Sequence, residues 1–239
     1  MTVPEARKQE RLRRYPLRRH RLPVAGGTLS VVAPDSGEWL HSGGWSTRAQ
    51  LGAEPPYWAD VWPASVAVAR WLARRRDLEG LRVLDLGCGI GVAGCGALMR
   101  GAKVTFADLE SDALAFAEFN GLGTGAPRER IELLQLDWHR QTAPQGFDLL
   151  LLADVTYRPV HHGPIRRHVD QCLAPGGLVV HCDPYRADSD SFLRSCELRL
   201  ARRMIELDTH FGEKRIPVRL NLMATAAEQL DRWLPASPQ

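Results

Sequence analysis

From Leu81 onward, short apolar stretches alternate with longer amphipathic ones. The apolar stretches predict strands at 82–86, 103–107, 131–136, 147–153 and 178–181, with two more near 204–209 and 216–223. The amphipathic stretches between them predict helices, and a short strand is predicted earlier, at 28–33. Strands that are apolar along nearly their whole length have both faces buried, which is typical of a parallel sheet covered by helices. The pattern therefore predicts an α/β fold.

The length of 239 residues suits one sizeable domain. We divide the chain into a basic, flexible arm at 1–22, a cap or lid segment at 23–62, and the main domain at 63–239. The arm carries eight basic and two acidic side chains, so its net charge is +6, whereas the rest of the chain carries −3. Such an arm suits contact with nucleic acid, an acidic protein surface or an import receptor, or it is a solvated extension. Nucleic acid is not the favoured interpretation.

The five cysteines have no paired spacing, and no apolar run is long enough for a membrane span. We therefore expect small buried core residues, no metal site, no membrane contact and a reducing, cytoplasmic location.

A glycine-rich turn follows the strand at 82–86 in the pattern Asp-x-Gly-x-Gly-x-Gly, formed by Asp85, Gly87, Gly89 and Gly91. Glycines let the backbone turn tightly and approach a ligand, and the helix that begins near Val92 offers free amides. The spacing differs from the Gly-x-Gly-x-x-Gly pattern of dinucleotide-binding turns. The turn therefore predicts a site for a different ligand.

Four successive strands end in an acid: Asp85, Asp108, Asp137 and Asp154. In an open α/β sheet, ligands bind outside the carboxyl ends of the strands. Asp108 stands at the distance along the chain at which a second-strand acid accepts ribose hydroxyls. Asp137 suits an adenine amino group and Trp138 offers a face for the ring, although either residue would equally serve a structural role.

Three aromatic residues, Tyr57, Trp58 and Trp62, precede the helix predicted to begin at Pro63. They either pack this helix onto the sheet or form an aromatic lid over a ligand.

Several motifs give the chain a resemblance to class I S-adenosylmethionine-dependent methyltransferases. They are the glycine turn, the acids that end the second and third strands, and the Pro175-Gly176-Gly177 turn before the fifth strand. Within that class, Asp154-Val155-Thr156-Tyr157 resembles the Asp-x-x-Tyr element of protein lysine methyltransferases. Residues 55–63 and 183–186 are most similar to the electron transfer flavoprotein beta-subunit lysine methyltransferases, except that Tyr185 stands where a glycine is expected.

The resemblance implies a Rossmann-like, seven-stranded, mostly parallel sheet with an antiparallel final strand and helices on both faces. It implies that S-adenosyl-L-methionine is the cofactor, and that a lysine-bearing protein, including the electron transfer flavoprotein beta subunit, is the substrate. Asp154 and Tyr157 would be the catalytic residues. The implied cofactor-binding residues are Asp85, Gly87, Cys88, Gly89, Gly91, Asp108, Leu109, Asp137, Trp138 and Trp62.

Other functions stay open on the sequence. The same fold hosts acceptors that are small-molecule amines, hydroxyls or protein histidines. A nucleic-acid adenine methyltransferase is disfavoured, because Asp183-Pro184-Tyr185 follows the fifth strand and not the fourth. A non-enzymatic binding module is disfavoured by the glycines and the rim acids, which binding alone does not require.

Overall fold

Most strands and helices begin and end close to the residues that the hydrophobic pattern indicates. The computed structural model describes residues 12–35, 56–211 and 214–233. Residues 1–11 of the predicted arm and 36–55 of the predicted cap segment lie outside the described residues. The strands are β1 (Leu17–Val24), β2 (Gly27–Pro34), β3 (Arg82–Leu86), β4 (Lys103–Asp108), β5 (Ile131–Gln135), β6 (Phe147–Ala153), β7 (Leu173–Asp183), β8 (Ala201–Phe211) and β9 (Lys214–Ala224). The helices are α1 (Pro63–Ala73), α2 (Val92–Leu98), α3 (Ser111–Leu122), α4 (Pro159–Cys172), α5 (Ala187–Glu197) and α6 (Glu228–Asp231).

Seven strands form one sheet in the order β5-β4-β3-β6-β7-β9-β8. Strands β3 to β7 are mutually parallel, and β9 runs antiparallel to both β7 and β8. The predicted Rossmann-like sheet with an antiparallel final strand is therefore confirmed. The strand order reverses between β3 and β6, and this is where such a sheet opens a crevice.

The two faces of the sheet carry separate hydrophobic cores. On β6, Leu149 and Leu151 belong to the core beneath α1, α2 and α3, whereas Leu150 and Leu152 belong to the core beneath α4 and α5. All four side chains are 0% exposed. The continuous apolar run of β6 thus reflects burial on both faces, as predicted.

The N-terminal segment departs from the prediction. Residues 17–22, predicted as part of a flexible arm, belong to β1, which pairs with β2 from Leu17↔Pro34 to Val24↔Gly27. The side chain of Asn120 on α3 secures β2, because its Oδ1 accepts from the amide of Val32 at 2.7 Å and its Nδ2 donates to the Val32 carbonyl at 2.9 Å. Packing of β2 on α3 thus provides a template on which the arginine-rich β1 becomes a strand.

Two boundaries in the C-terminal half also differ. The predicted turn at 174–177 lies inside β7, where the register with β6 shifts between the pairs Phe147↔Leu173 and Leu149↔Leu178. This shift is an irregularity of the strand that Gly176 permits at φ 78°. Strand β8, predicted near 204–209, already begins at Ala201, so helix α5 before it ends at Glu197.

All five cysteines are buried free thiols, as predicted for core residues. No helix within the described ranges is both long and apolar enough to cross a membrane.

Candidate active site

A cavity of about 630 Å³ opens at the carboxyl ends of β3, β4 and β6, next to the point where the strand order reverses. Its volume falls in the range of about 300–1,000 Å³ that is typical of small-molecule sites. Eleven of the twelve predicted site residues line it: Trp62, Asp85, Gly87, Cys88, Gly89, Asp108, Leu109, Asp137, Trp138, Asp154 and Tyr157. The twelfth, Gly91, does not.

The glycine turn lies against β4 and leaves no room for side chains. The amides of Gly87 and Cys88 both donate to the carbonyl of Ala107, at 2.8 and 3.0 Å. Gly87 has φ 69°, and a Cβ there would lie 2.8 Å from Cγ1 of Val155 and 2.9 Å from Cζ3 of Trp138. The turn is therefore a bare backbone surface at the cavity wall, as a closely approached ligand requires.

Gly91 has a structural role. It precedes α2 with φ 82°, and a Cβ at this position would lie 2.9 Å from Cα of Ala117 on α3. This glycine therefore lets α2 start while α3 packs against it.

Asp108 joins the end of β4 to the glycine turn. Its Oδ2 accepts from the Gly89 amide at 2.9 Å, and its Oδ1 accepts from the Glu110 amide at 3.0 Å. Burial raises the pKa of Asp108 to about 6, although the amide hydrogen bonds act in the opposite direction. Each carboxylate oxygen has a second lone pair that can accept a ribose hydroxyl.

Asp85 supports α2 from beneath the cavity. Its Oδ2 accepts from the amide of Gly94 at 2.9 Å, which satisfies one of the free amides of the first helical turn. Burial raises the pKa of Asp85 to about 7, and the nearby charge of Asp108 adds to the shift. Asp85 is 1% exposed, so its carboxylate is bonded to the protein backbone and is shielded from solvent.

Trp138 and Asp137 form another part of the rim, after β5. The ring of Trp138 contacts the position above Gly87 and lies 5.3 Å from the ring of His161 on α4. Oδ1 of Asp137 accepts from the backbone amide of His139 at 2.9 Å. Asp137 thus stabilises the turn in which it lies. Leu109, which follows β4, is 57% exposed and is accessible to a ligand.

The three aromatic residues before α1 divide between the two roles that the sequence left open. Trp58 packs against Phe116 and Tyr15, with ring centroids 5.8 and 5.6 Å away, and its carbonyl covers Gly89. Tyr57 instead faces the cavity, where its ring lies 5.6 Å from that of Tyr157 and 6.1 Å from that of Trp62. All three residues line the cavity, but Trp58 also packs against the core, whereas Tyr57 and Trp62 contact each other at the cavity wall.

Asp154 lies on the other side of the cavity from Asp108, at the end of β6. Its side chain is 2% exposed, and Arg186 binds both of its oxygens, with Nε–Oδ1 at 2.5 Å and Nη2–Oδ2 at 2.9 Å. The backbone at Asp154 has φ 61°, a conformation that side chains other than glycine rarely adopt. Burial raises the pKa of the neighbouring Tyr157 phenol.

The sequence interpretation gave no role to several residues that the fold brings to this cavity. Arg186 belongs to the segment at 183–186 that carries part of the family resemblance, but nothing along the chain indicated its pairing with Asp154. His139 and His161 are 22 residues apart, and their rings meet with Nε2 of His139 3.0 Å from Nδ1 of His161. Within the described part of the chain, no group of three His, Cys, Asp or Glu side chains is arranged to hold a metal ion.

Tyr185, the departure from the expected glycine, has φ 56°. Glycine adopts this left-handed conformation without a steric penalty, which explains why a glycine is expected at this position. Tyr185 is held there by a 2.8 Å hydrogen bond from its hydroxyl to Glu206 and by the Arg219 guanidinium, 5.5 Å from its ring centroid.

The strand order, the final antiparallel strand and the cavity at the glycine turn define a class I methyltransferase fold, as the sequence motifs implied. A lysine methyltransferase family model matches residues 57–198, and the chain belongs to that family.

The electron transfer flavoprotein beta subunit lysine methyltransferase of Danio rerio is 31% identical over 163 residues, which cover 66% of this chain and 62% of that protein. The protein N-lysine methyltransferase METTL21A of Danio rerio is 38% identical over 106 residues, which cover 41% of this chain and 48% of that protein. The matched segments thus span less than two thirds of these relatives.

Among solved structures, magnesium protoporphyrin IX methyltransferase (ChlM) from Synechocystis PCC 6803 with bound SAM superposes with a TM-score of 0.52. The sequence identity is 15%, and the match covers 77% of this chain and 93% of that one. This likeness shows the fold.

Proposed function

We propose that this chain transfers a methyl group from S-adenosylmethionine to lysine side chains of a protein. The observation that carries the proposal is that Asp154 and Tyr157 line the same cavity as the glycine turn and Asp108. One cavity thus has a half suited to an adenosyl cofactor and a half suited to an acceptor. Membership of the lysine methyltransferase family supports the reaction.

The cofactor half has the groups that an adenosyl ligand requires. Bare backbone at Gly87 and Gly89 admits close approach, and a Cβ at Gly87 would fill the space beside Trp138. Asp108 would accept hydrogen bonds from the ribose hydroxyls, and Trp138 would offer its ring to the adenine. When bound, S-adenosylmethionine supplies a methyl group on a positively charged sulfur.

The acceptor half is walled by aromatic rings. Tyr157 lies between Tyr57 and His161, with ring centroids 5.6 and 5.7 Å away. Such walls guide the apolar stem of a lysine and exclude water from its amine. Asp154, beyond these rings, orients the amine, and close positioning of the reacting atoms supplies much of the rate.

The protein substrate that we propose to test first is the electron transfer flavoprotein beta subunit of the same organism. The support is the similarity to the Danio rerio enzyme named for that substrate, together with the motifs at 55–63 and 183–186. We place the reaction in the cytoplasm, because the five cysteines have no paired spacing.

The experiment incubates the purified chain with cofactor labelled in the methyl group and either the purified beta subunit or a lysate of its own source. Mass spectrometry then locates the label. Label on a lysine of the beta subunit supports the full proposal, and label on a lysine of another lysate protein supports the reaction but not this substrate. Label on a histidine or a small molecule supports the alternative acceptors, and no cofactor binding at all overturns the proposal.

A variant lacking residues 1–11 removes Arg7, Lys8 and Arg11, three of the arm's eight basic side chains, without removing β1. Unchanged lysine labelling with weaker retention on nucleic acid would make this segment an accessory. Loss of labelling of the protein substrate, with cofactor binding unchanged, would place it in substrate recognition.

A further inference from the structure

We propose that Arg186 is a positioning residue whose guanidinium cancels the charge of Asp154, so that the acceptor half admits a target lysine as its neutral amine. Arg219 holds Arg186 in place. This inference rests on the proposed function, because it concerns the amine that would receive the methyl group.

The contact between Arg186 and Asp154 is bidentate, and its carboxylate is shielded from water, whereas the Arg186 side chain is 35% exposed. Both carboxylate oxygens accept from the guanidinium, at 2.5 and 2.9 Å, and the Asp154 side chain is 2% exposed. An arginine stays protonated in proteins, and its planar fork matches a carboxylate. The pair is thus neutral as a unit and leaves Asp154 no uncompensated charge.

The backbone of Arg186 is held in place, because both its amide and its carbonyl are hydrogen-bonded to side chains. Oδ1 of Asp183 accepts from the Arg186 amide at 2.7 Å, and Nη2 of Arg219 donates to the Arg186 carbonyl at 3.0 Å. Arg219 also binds both oxygens of Asp183, at 3.2 and 3.0 Å, and Oδ1 of Asp190 at 2.5 Å. Asp183 and Arg219 are directly paired residues of β7 and β9, so the sheet itself fixes this arrangement.

The described part of the cavity wall offers no second lysine or arginine that could replace Arg186 in this role. His161 is no substitute, because burial lowers its pKa to about 4 and leaves it neutral at physiological pH. Tyr157 lines the same half of the cavity, and four ionisable groups affect its pKa: Tyr57, Asp108, Asp154 and Arg186. Arg186 is the only cation among these four.

The charge of the pair decides the state of the bound amine. A lysine has an ordinary pKa of about 10.4, and only the neutral amine has the lone pair that attacks a methyl group. An unpaired carboxylate within about 4–6 Å would raise that pKa by roughly 1–3 units and hold the lysine as an unreactive ammonium. Beside a neutral pair, Asp154 no longer opposes the effect of burial, which favours the neutral amine.

The test uses two cofactor analogues and needs no acceptor. In sinefungin an amine-bearing carbon replaces the methylsulfonium, so an ammonium group stands where the methyl group would be, whereas S-adenosylhomocysteine has no charge there. Calorimetry gives the dissociation constants of both for the wild type, Arg186→Gln, Arg186→Lys and Arg219→Gln. The matched control is Arg166→Gln, which removes an arginine paired with Asp170 on α4.

We expect Arg186→Gln to strengthen sinefungin binding relative to S-adenosylhomocysteine by about 10-fold or more, because it leaves Asp154 unpaired. Arg186→Lys keeps the charge and should keep the ratio within about threefold of the wild type, and Arg166→Gln should not change it. Arg219→Gln should move the ratio in the same direction as Arg186→Gln but less far. A merely structural role would weaken both ligands alike and leave the ratio unchanged.

An unchanged ratio in Arg186→Gln overturns the inference while the proposed function stands. An unchanged ratio in Arg219→Gln removes Arg219 from the mechanism. A wild type that binds neither analogue overturns the proposed function, and the inference falls with it. If Arg186→Gln does not fold, Arg219→Gln decides in its place, and an unchanged ratio in that variant then overturns the whole inference.

Discussion

The carboxylate of Asp108 accepts a hydrogen bond from the backbone amide of Gly89 at 2.9 Å, so the end of β4 is joined directly to the glycine turn that follows β3. The same carboxylate accepts the amide of Glu110 at 3.0 Å. One side chain thus fixes the bare backbone of the turn and presents its remaining lone pairs to the cavity.

Replacing Asp108 with Asn should weaken binding of S-adenosylhomocysteine roughly 10- to 100-fold at pH 8, because the amide group of Asn has one acceptor where two amides now donate. Wild-type affinity should also fall as the pH drops through about 6, where Asp108 takes up a proton. Calorimetry between pH 8 and pH 5 measures both effects. The control is Asp170→Asn, an acid paired with Arg166 on α4. An Asp108→Asn variant with the same fall in affinity near pH 6 would contradict this role.

Asp85 predicts a pH-dependent stability. Its pKa is raised from 3.8 to about 7, so the folded state binds this proton more tightly than the unfolded chain does. The free energy of unfolding should therefore fall as the pH rises from about 4 to about 7. Asp85→Asn removes this dependence. Its free energy of unfolding, compared with that of the wild type, should therefore be more favourable at pH 8 than at pH 5.5 by on the order of 2 kcal/mol. Urea unfolding without cofactor measures the difference, and an equal difference at both pH values would show that Asp85 is not the group responsible.

Gly87→Ala tests the need for bare backbone in the turn. The new Cβ would meet Val155 and Trp138 at 2.8 and 2.9 Å, in addition to the strain of φ 69°. Gly125→Ala is the matched control, because it has φ 84° but no atom within 4 Å of the new Cβ. The control should lose about 1–2 kcal/mol of stability and keep its cofactor affinity. Gly87→Ala should lose more stability and also most of its affinity for S-adenosylhomocysteine, and equal behaviour of the two variants would refute the steric argument.

Asp154→Ala should lower methyl transfer by at least about 100-fold, because the acceptor loses the group that orients it. The affinity for S-adenosylhomocysteine should stay within about threefold, since the Asp154 carboxylate is hydrogen-bonded to Arg186 and not to Asp108 or the glycine turn. Label transfer and calorimetry measure the two quantities on the same preparation. Normal turnover in Asp154→Ala would remove Asp154 from the mechanism.

Much of the site could be read from the chain because its residues occupy the ends of strands. Asp85, Asp108, Asp137 and Asp154 each lie at or directly after the end of a predicted strand, and parallel strands bring their carboxyl ends to one edge. The pairing of Asp154 with Arg186 could not be read in this way. It joins residues 32 positions apart, and it depends on a turn that β9 holds through Arg219.

By itself, the sequence determined the α/β fold, the edge of the sheet that holds the site and the positions where backbone must stay bare. These follow from local properties, since apolar runs form strands that are buried on both faces and glycine is the residue that tolerates a positive φ. Only the tertiary structure decided that residues 17–22 form a strand, that Trp58 packs while Tyr57 faces the cavity, and that Asp85 and Asp108 have raised pKa values. The reason is that pairing partners, burial and the charges around a group are set by segments far away in the chain.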